Sequence, residues 1–318
     1  MRLSGLLLAF AALLPLAPAQ SPDMAPQGYT FALPVHPGRL RFAAPTYEIA
    51  EYSAKPNGFE YGIRGQSKDG THLLAFLFLP ADTTPFTSES CREKYLQHEE
   101  KITVTSRSVL PNHLALAQYT FPSQTGTISV VRAFAATGDL CADIEFSSQS
   151  PITPETPSIH AAFASVQFEP NFQPTFREVF AYATVLFEHH AAKAAAPLYE
   201  RALTLLPANP PTEKWRRVAT DQAAMSYGMS GNIEKARSIL NRAIAADPTY
   251  PLNYYNLACA DAEQGDAIHA RIHLQQAFDR KANTLPGESL PYPAEDDSIQ
   301  KLKGNKEFWA FVESLQKK

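Results

Sequence analysis

Few residues in this 318-residue chain stand at spacings that could do chemistry. His269 and His273 are four apart, so on a helix they share one face as a zinc-binding pair would, but no third ligand accompanies them. Asp143 and Glu145 are two apart, which on a strand puts both carboxylates on one side; without a partner acid they read as a solvated face. His189-His190 reads as polar punctuation beside a helix turn. Cys259 has no neighbouring His and falls within a helical pattern, where a thiol packs rather than attacks. No G-x-S-x-G elbow, phosphate-binding glycine loop, H-E-x-x-H or paired C-x-x-C occurs. The expectation is a protein without catalytic residues, metal or cofactor.

The N-terminus predicts export. Arg2 supplies a positive start, Leu6 to Leu14 an apolar core, and Ala17-Pro18-Ala19 the small residues that precede cleavage, giving a signal peptide over 1–19. The apolar run is shorter than the ~20 residues a membrane span needs. Its removal leaves 27 cationic against 32 acidic side chains, a formal charge of −5. The pI near 6.1 excludes the strongly basic surface that nucleic acid attracts, and Lys214-Trp215-Arg216-Arg217 reads as a solvated helix start. The destination is the periplasm or the exterior of a bacterial cell. There Cys91, Cys141 and Cys259 meet an oxidising compartment in which a pair can bridge.

Length and composition fit two domains. Over 27–169 the pattern is mostly strand. Thr71 to Leu79 is a continuous apolar run, the mark of a central strand buried on both faces. His113–Phe121, Thr127–Ala135 and Leu140–Ser147 follow at turn-length intervals, and Leu40–Phe42, Tyr47–Ser53 and Phe59–Arg64 precede. Ser88 or Ser90 is placed to cap a helix carrying Cys91, Tyr95 and Leu96 on one side. A second helix over Pro154–Ala164 leads to a short strand at Ser165–Phe168. The fold class is α+β, an antiparallel sheet with two helices packed on it. Leu140, Ala142, Ile144 and Phe146 share one strand face while Cys141, Asp143 and Glu145 share the other. A cysteine on that more polar face predicts a disulfide between Cys141 and Cys91 of the helix. The order of elements is loosely similar to PsbP-like and Mog1-like domains.

Residues 174–316 carry an internal repeat. Gly231 is followed by Ala236, Leu240, Ala243 and Pro248, and 34 residues later by Gly265, Ala270, Leu274, Ala277 and Ala282. His190, Ala195, Tyr199, Ala202 and Pro207 keep the same offsets earlier in the chain. Small residues at two positions let paired helices approach closely, and the larger residue between them fills the gap. This spacing resembles the tetratricopeptide repeat family, with its period of ~34 residues. Leu257-Ala258, Ala224, Ala183 and Tyr227 agree with its first-helix positions. The expected repeats are about 176–209, 217–250 and 251–284. A Pro-containing loop from Leu285-Pro286 to Pro291-Tyr292-Pro293 and an acidic start, Glu295-Asp296-Asp297, lead to a capping helix at about 305–316.

The resemblance implies that the first helix of each repeat lines a groove. The inward positions are Arg177, Phe180, Thr184 and Phe187 in repeat one, Val218, Asp221, Met225 and Met229 in repeat two, and Leu252, Tyr255, Cys259 and Glu263 in repeat three. This mostly apolar set suits an apolar helix or an extended peptide. The leading expectation is therefore a non-enzymatic scaffold that binds a peptide or protein partner in the cell envelope. A small-ligand or lipid carrier using a cavity in the first domain is the alternative. A groove filled by the protein's own first domain or cap is expected as readily as an open one.

Overall fold

The computed structural model describes residues 28–80, 86–99, 101–206 and 213–315. The expected signal peptide over 1–19 lies outside them. The described residues form two compact units that divide between His189 and His190.

The first unit is built on a seven-stranded antiparallel sheet. Its strands are β3 (Tyr47–Ala54), β4 (Glu60–Ser67), β5 (His72–Phe78), β6 (Thr103–Val109), β7 (Ala115–Ser123), β8 (Gly126–Thr137) and β9 (Leu140–Ser148), in the order β3-β4-β5-β9-β8-β7-β6. β5 is central, as its apolar run predicts, and pairs Ala75 with Ile144 of β9. A smaller sheet joins β1 (Gly28–Ala32), β2 (Arg39–Ala43) and β10 (Gln167–Glu169). The two outer strands of the large sheet are each bulged, between Ile49 and Glu51 in β3 and between Val104 and Ser106 in β6. At Gly62 a Cβ would lie 2.1 Å from the Phe76 ring on β5, so that pairing requires glycine.

Three helices pack in this unit. Helix α1 (Ser88–His98) starts at a capping box in which Thr87 and Ser90 satisfy each other's backbone N–H, so the N-cap is Thr87, one residue before Ser88, and Ser90 is its partner. Helix α2 (Pro157–Ala164) follows β9. Helix α3 (Phe176–Glu188) packs on β1 and β3. Its Tyr182 hydroxyl donates to the Lys55 and Glu60 carbonyls at 2.7 and 2.8 Å, and the ring lies 5.3 Å from that of Tyr61.

The strand face read as solvated is closed over by α1. Cys141 and Asp143 are buried, and Arg132 of β8 lies beside them, 6% exposed. Arg132 donates to both Asp143 carboxylate oxygens, to Glu145 at 2.5 Å, and to the Tyr95 and Tyr119 hydroxyls. Its guanidinium also lies 3.7 Å from the Tyr95 ring centroid. Burial alone would push Arg132 down, but the two carboxylates hold it firmly charged.

The expected Cys91–Cys141 disulfide is absent: both residues are free thiols. The two residues share an apolar layer with Ala117, Tyr119, Val130 and Phe134, where the neighbouring Cys141 thiol and then burial push the Cys91 thiol up. Each sulfur fills core space as a small hydrophobe, which the polar neighbours in the sequence concealed.

The second unit is all helical: α4 (Ala192–Thr204), α5 (Glu213–Met229), α6 (Ile233–Ala246), α7 (Pro251–Glu263), α8 (Ala267–Asp279), α9 (Asp297–Gln300) and α10 (Lys306–Leu315). The repeated small residues do what their spacing requires. Ala195, Ala202, Ala270 and Ala277 are completely buried, with Tyr199, Leu240 and Leu274 filling the gaps between helices. Turn residues Gly231 and Gly265 take φ of 84° and 77°, and His190 stands at the same repeat position with φ of 60°. Asn232 and Asp266 then cap α6 and α8 through their side chains. Helix α4 runs through Pro197, its sixth residue, where the ring removes one intrahelical N–H donor. Helices α7 to α10 close one core containing Tyr254, Leu274, Ile299, Phe308 and Val312. The chain is thus an antiparallel sheet region with helices followed by an all-helical repeat region.

Replacing Arg132 leaves the buried Asp143 and the half-buried Glu145 carboxylates without their cation. Arg132→Met is expected to cost roughly 3–5 kcal/mol, read as lost hydrogen-exchange protection of β8 and β9 amides across a urea series. A cost below about 1 kcal/mol would show that the cluster contributes little.

Candidate functional site: the inner face of the helical repeats

Helices α5 and α7 are the first helices of two successive repeats, and their inward stripes lie side by side. On α5 the stripe is Val218, Asp221, Met225 and Met229; on α7 it is Leu252, Tyr255, Cys259 and Glu263. Spacings of three and four residues put each set on one helix face. Asn256 links the stripes by donating its side-chain amide to Asp221 Oδ1. Val218, Asp221 and Tyr255 are buried, Met225, Leu252 and Cys259 half-buried, and Met229 and Glu263 exposed.

The four positions assigned to repeat one fall elsewhere. Arg177, Phe180, Thr184 and Phe187 are on α3, within the sheet unit. There Phe180 stacks on Phe176 at 5.3 Å and the Thr184 hydroxyl donates to the Phe180 carbonyl at 3.0 Å. The structure therefore brings together the positions of repeats two and three in one unit, with those of repeat one in the other.

Of the two expectations, an open groove and one filled by the chain itself, the structure shows the second along α7: residues 284–301 run along its stripe from one end to the other. At the start, Tyr250 donates its hydroxyl to Glu288 Oε2 at 3.1 Å, and the Leu285 N–H donates to the same oxygen at 2.9 Å. Further along, the Tyr255 hydroxyl lies 3.4 Å and the Cys259 thiol 3.7 Å from Asp296. At the far end, Ser298 donates to Glu263 at 2.8 Å, and Lys301 pairs with that carboxylate. Asp296 has a second duty: its Oδ1 accepts from the Ser298 and Ile299 N–H groups and caps α9. Leu290 and Ala294 pack onto the core that includes Tyr255. The acidic Glu295-Asp296-Asp297 start and the surrounding prolines were visible, but the partners lie roughly 35–40 residues away, where no periodicity reports them.

Electrostatics on this face are unusual. Burial, reinforced by the negative charge of Glu288, pushes Asp221 up to about 7, with only partial relief from the Asn256 amide. Burial, together with Asp221 and Glu288, pushes the Tyr250 hydroxyl up, while Arg217 of α5, 5.0 Å from its ring, works the other way. Burial and then Asp296 push the Cys259 thiol well up, which keeps it protonated and makes it a donor rather than a nucleophile.

The histidine pair of α8 is held by acids rather than by a common ligand. His273 Nδ1 is 2.5 Å from Asp261, which also pairs with Arg237 and is fully buried, while His269 Nδ1 is 2.6 Å from Asp266. Among the described residues, no group of three or more His, Cys, Asp or Glu is arranged to hold a metal ion, and no helix is long and apolar enough to cross a membrane.

The raised Asp221 gives the repeat unit a pH dependence. Its folded value lies above the unfolded value near 3.9, so the stabilising difference is complete below pH ~4 and is lost as pH rises through about 7. Asp221→Asn keeps an oxygen for the Asn256 amide and removes that loss. At pH 8 the variant is expected to be the more stable by a few kcal/mol and at pH 4 indistinguishable, measured by thermal unfolding across the range. Equal stabilities at pH 8 would refute the assignment.

No protein-family model and no curated protein sequence matches the chain. Solved structures similar to part of it include the Sgt2 TPR domain from Aspergillus fumigatus, 21% identical over 44% of this chain and 82% of that one, with a TM-score of 0.32. YrrB, described as a TPR protein with an unusual peptide-binding site, is 22% identical over 35% of this chain and 53% of its own, at a TM-score of 0.30. PcrH from Pseudomonas aeruginosa is 12% identical over 44% and 91% respectively, at 0.31.

Proposed function

We propose that the helical-repeat unit is a non-enzymatic scaffold that binds an extended peptide or protein segment on the inner face of α5 and α7, in the cell envelope after export. One observation carries the reading: that face already holds a proline-containing stretch of the same chain, seated by Tyr250, Tyr255 and Cys259. A surface whose tyrosine and cysteine side chains donate to its own residues 288 and 296 has the donors to accept another peptide segment. The half-buried Met225 and Leu252 and the exposed Met229 extend the apolar part of the face beyond the stretch's polar contacts. The site residues of this reading are Asp221, Met225, Met229, Leu252, Tyr255 and Glu263. The proposed location follows from Arg2, Leu6–Leu14 and Ala17-Pro18-Ala19.

Selection of a random-peptide display library on the immobilised full chain tests the binding role. Enriched peptides are expected to lose at least tenfold in affinity for a Met225→Glu/Leu252→Glu variant that retains the parent's circular dichroism. No enrichment, or peptides indifferent to both substitutions, would overturn it. Export is checked by N-terminal sequencing of the protein recovered from the envelope of an expressing bacterium, with Gln20 as the expected first residue.

A further inference from the structure

Helix α8 carries two imidazoles, each held at one ring nitrogen. His269 and His273 are one helical turn apart on the same face, stacked with ring centroids 6.3 Å apart and planes inclined by 28°. His273 Nδ1 lies 2.5 Å from Asp261 Oδ2, and His269 Nδ1 lies 2.6 Å from Asp266 Oδ2. Both acids are themselves anchored. Asp261, on α7, is fully buried, and its other oxygen accepts from Arg237 of α6. The other oxygen of Asp266 accepts the His269 N–H at 3.0 Å and caps the helix, and these contacts hold the Asp266 carboxyl below the usual carboxylate range.

An acceptor at Nδ1 sets the tautomer: in the neutral ring the proton sits on Nδ1 and the lone pair on Nε2. Neither Nε2 has a hydrogen-bond or ion-pair partner among the described residues. Both side chains reach solvent, His269 58% and His273 18% exposed. A carboxylate on one ring nitrogen and a lone pair on the other is the arrangement of a metal-ligating histidine, because the acid orients the ring and raises its basicity. An ion ~2.0–2.1 Å from each Nε2 spans the pair once the rings close up by about an ångström. That movement is open to His269, which is exposed and held by an acid of its own helix.

We infer that His269 and His273 form a bidentate site for a divalent transition metal of the zinc and copper class, bound through the two Nε2 atoms, with Asp261 and Asp266 as the positioning residues behind them. The spacing in the sequence offers two histidines without a third ligand, and the structure adds two anchored carboxylates. Water fills the coordination positions that the protein leaves open. Imidazole donors suit zinc, copper and nickel, whereas magnesium and calcium take oxygen ligands. The site lies on α8 and stands independently of the peptide role proposed for α5 and α7.

Titration calorimetry of the full chain with zinc near pH 7 tests this, with magnesium as the control cation. The variants are His269→Asn and His273→Asn, whose side-chain amide keeps a donor for the acid but has no second ring nitrogen. The parent is expected to bind zinc saturably and magnesium not at all. Each histidine variant, retaining the parent's circular dichroism, is expected to bind zinc at least tenfold more weakly, because one imidazole alone cannot chelate. Asp266→Asn keeps both histidines and an oxygen for the helix cap, and is expected to weaken zinc binding by about tenfold. No saturable zinc binding by the parent, equal binding of magnesium, or undiminished affinity in either histidine variant would overturn the inference and leave the two rings as ion-pair partners of Asp261 and Asp266. Undiminished affinity in Asp266→Asn would overturn the positioning role given to that carboxylate.

Discussion

A stack of helix pairs cannot bury its last pair by itself, and this constraint organises the second unit. Each helix hairpin presents apolar residues to the next, so a stack must end in something that covers its terminal face without inviting another repeat. Here α9 and α10 supply Ile299, Phe308, Val312 and Leu315 to the exposed side of α7 and α8. The chain must first travel from the end of α8 to the start of α9, and it does so along the inner face of α7. Asp296 sits where these demands converge, beginning the cap helix while accepting from Tyr255 and Cys259. The covering of a hydrophobic end and the occupation of the inner face are consequences of one chain path.

The sheet unit meets a related problem with electrostatics. A seven-stranded sheet needs its large face covered, and α1 covers the part that carries Arg132, Asp143 and Glu145. A buried guanidinium and two carboxylates would be ruinous singly, but each finds partners, with Tyr95 and Tyr119 completing the set. The cluster fixes where α1 rests, since Tyr95 is on the helix and the charges are on the strands.

How much of this was legible depended on whether the relevant partner was near in sequence. The repeat could be read from Ala236, Leu240 and Ala243 recurring as Ala270, Leu274 and Ala277, because close helix packing constrains residue size at fixed spacing. β5 was legible from its unbroken apolar run. β6 was not, because a strand with an exposed face written Thr-Val-Thr-Ser-Arg-Ser-Val carries no alternation. The Cys141 face was read as wet because Asp143 and Glu145 announce water; Arg132, which neutralises them, lies on the neighbouring strand. The boundary between units also escaped pattern reading. The residues of α3 fit the first helix of a repeat, yet Tyr182 of that helix is committed to backbone carbonyls of the sheet. Of the candidate site, the stripes on α5 and α7 followed from register alone. Glu288 and Asp296, which decide its charge, did not.

The bulges in the two outer strands bear on behaviour at high concentration. An open sheet ends in two rows of unpaired backbone groups, and a flat row is a template on which a second molecule can add a strand. β3 and β6 each lose register by one residue, which twists the row, and each carries charge there, Glu48 and Glu51 on one and Arg107 on the other. A second copy would meet an interrupted ladder with charged side chains along it. The sheet is thereby guarded against fibril-like self-association at both of its margins.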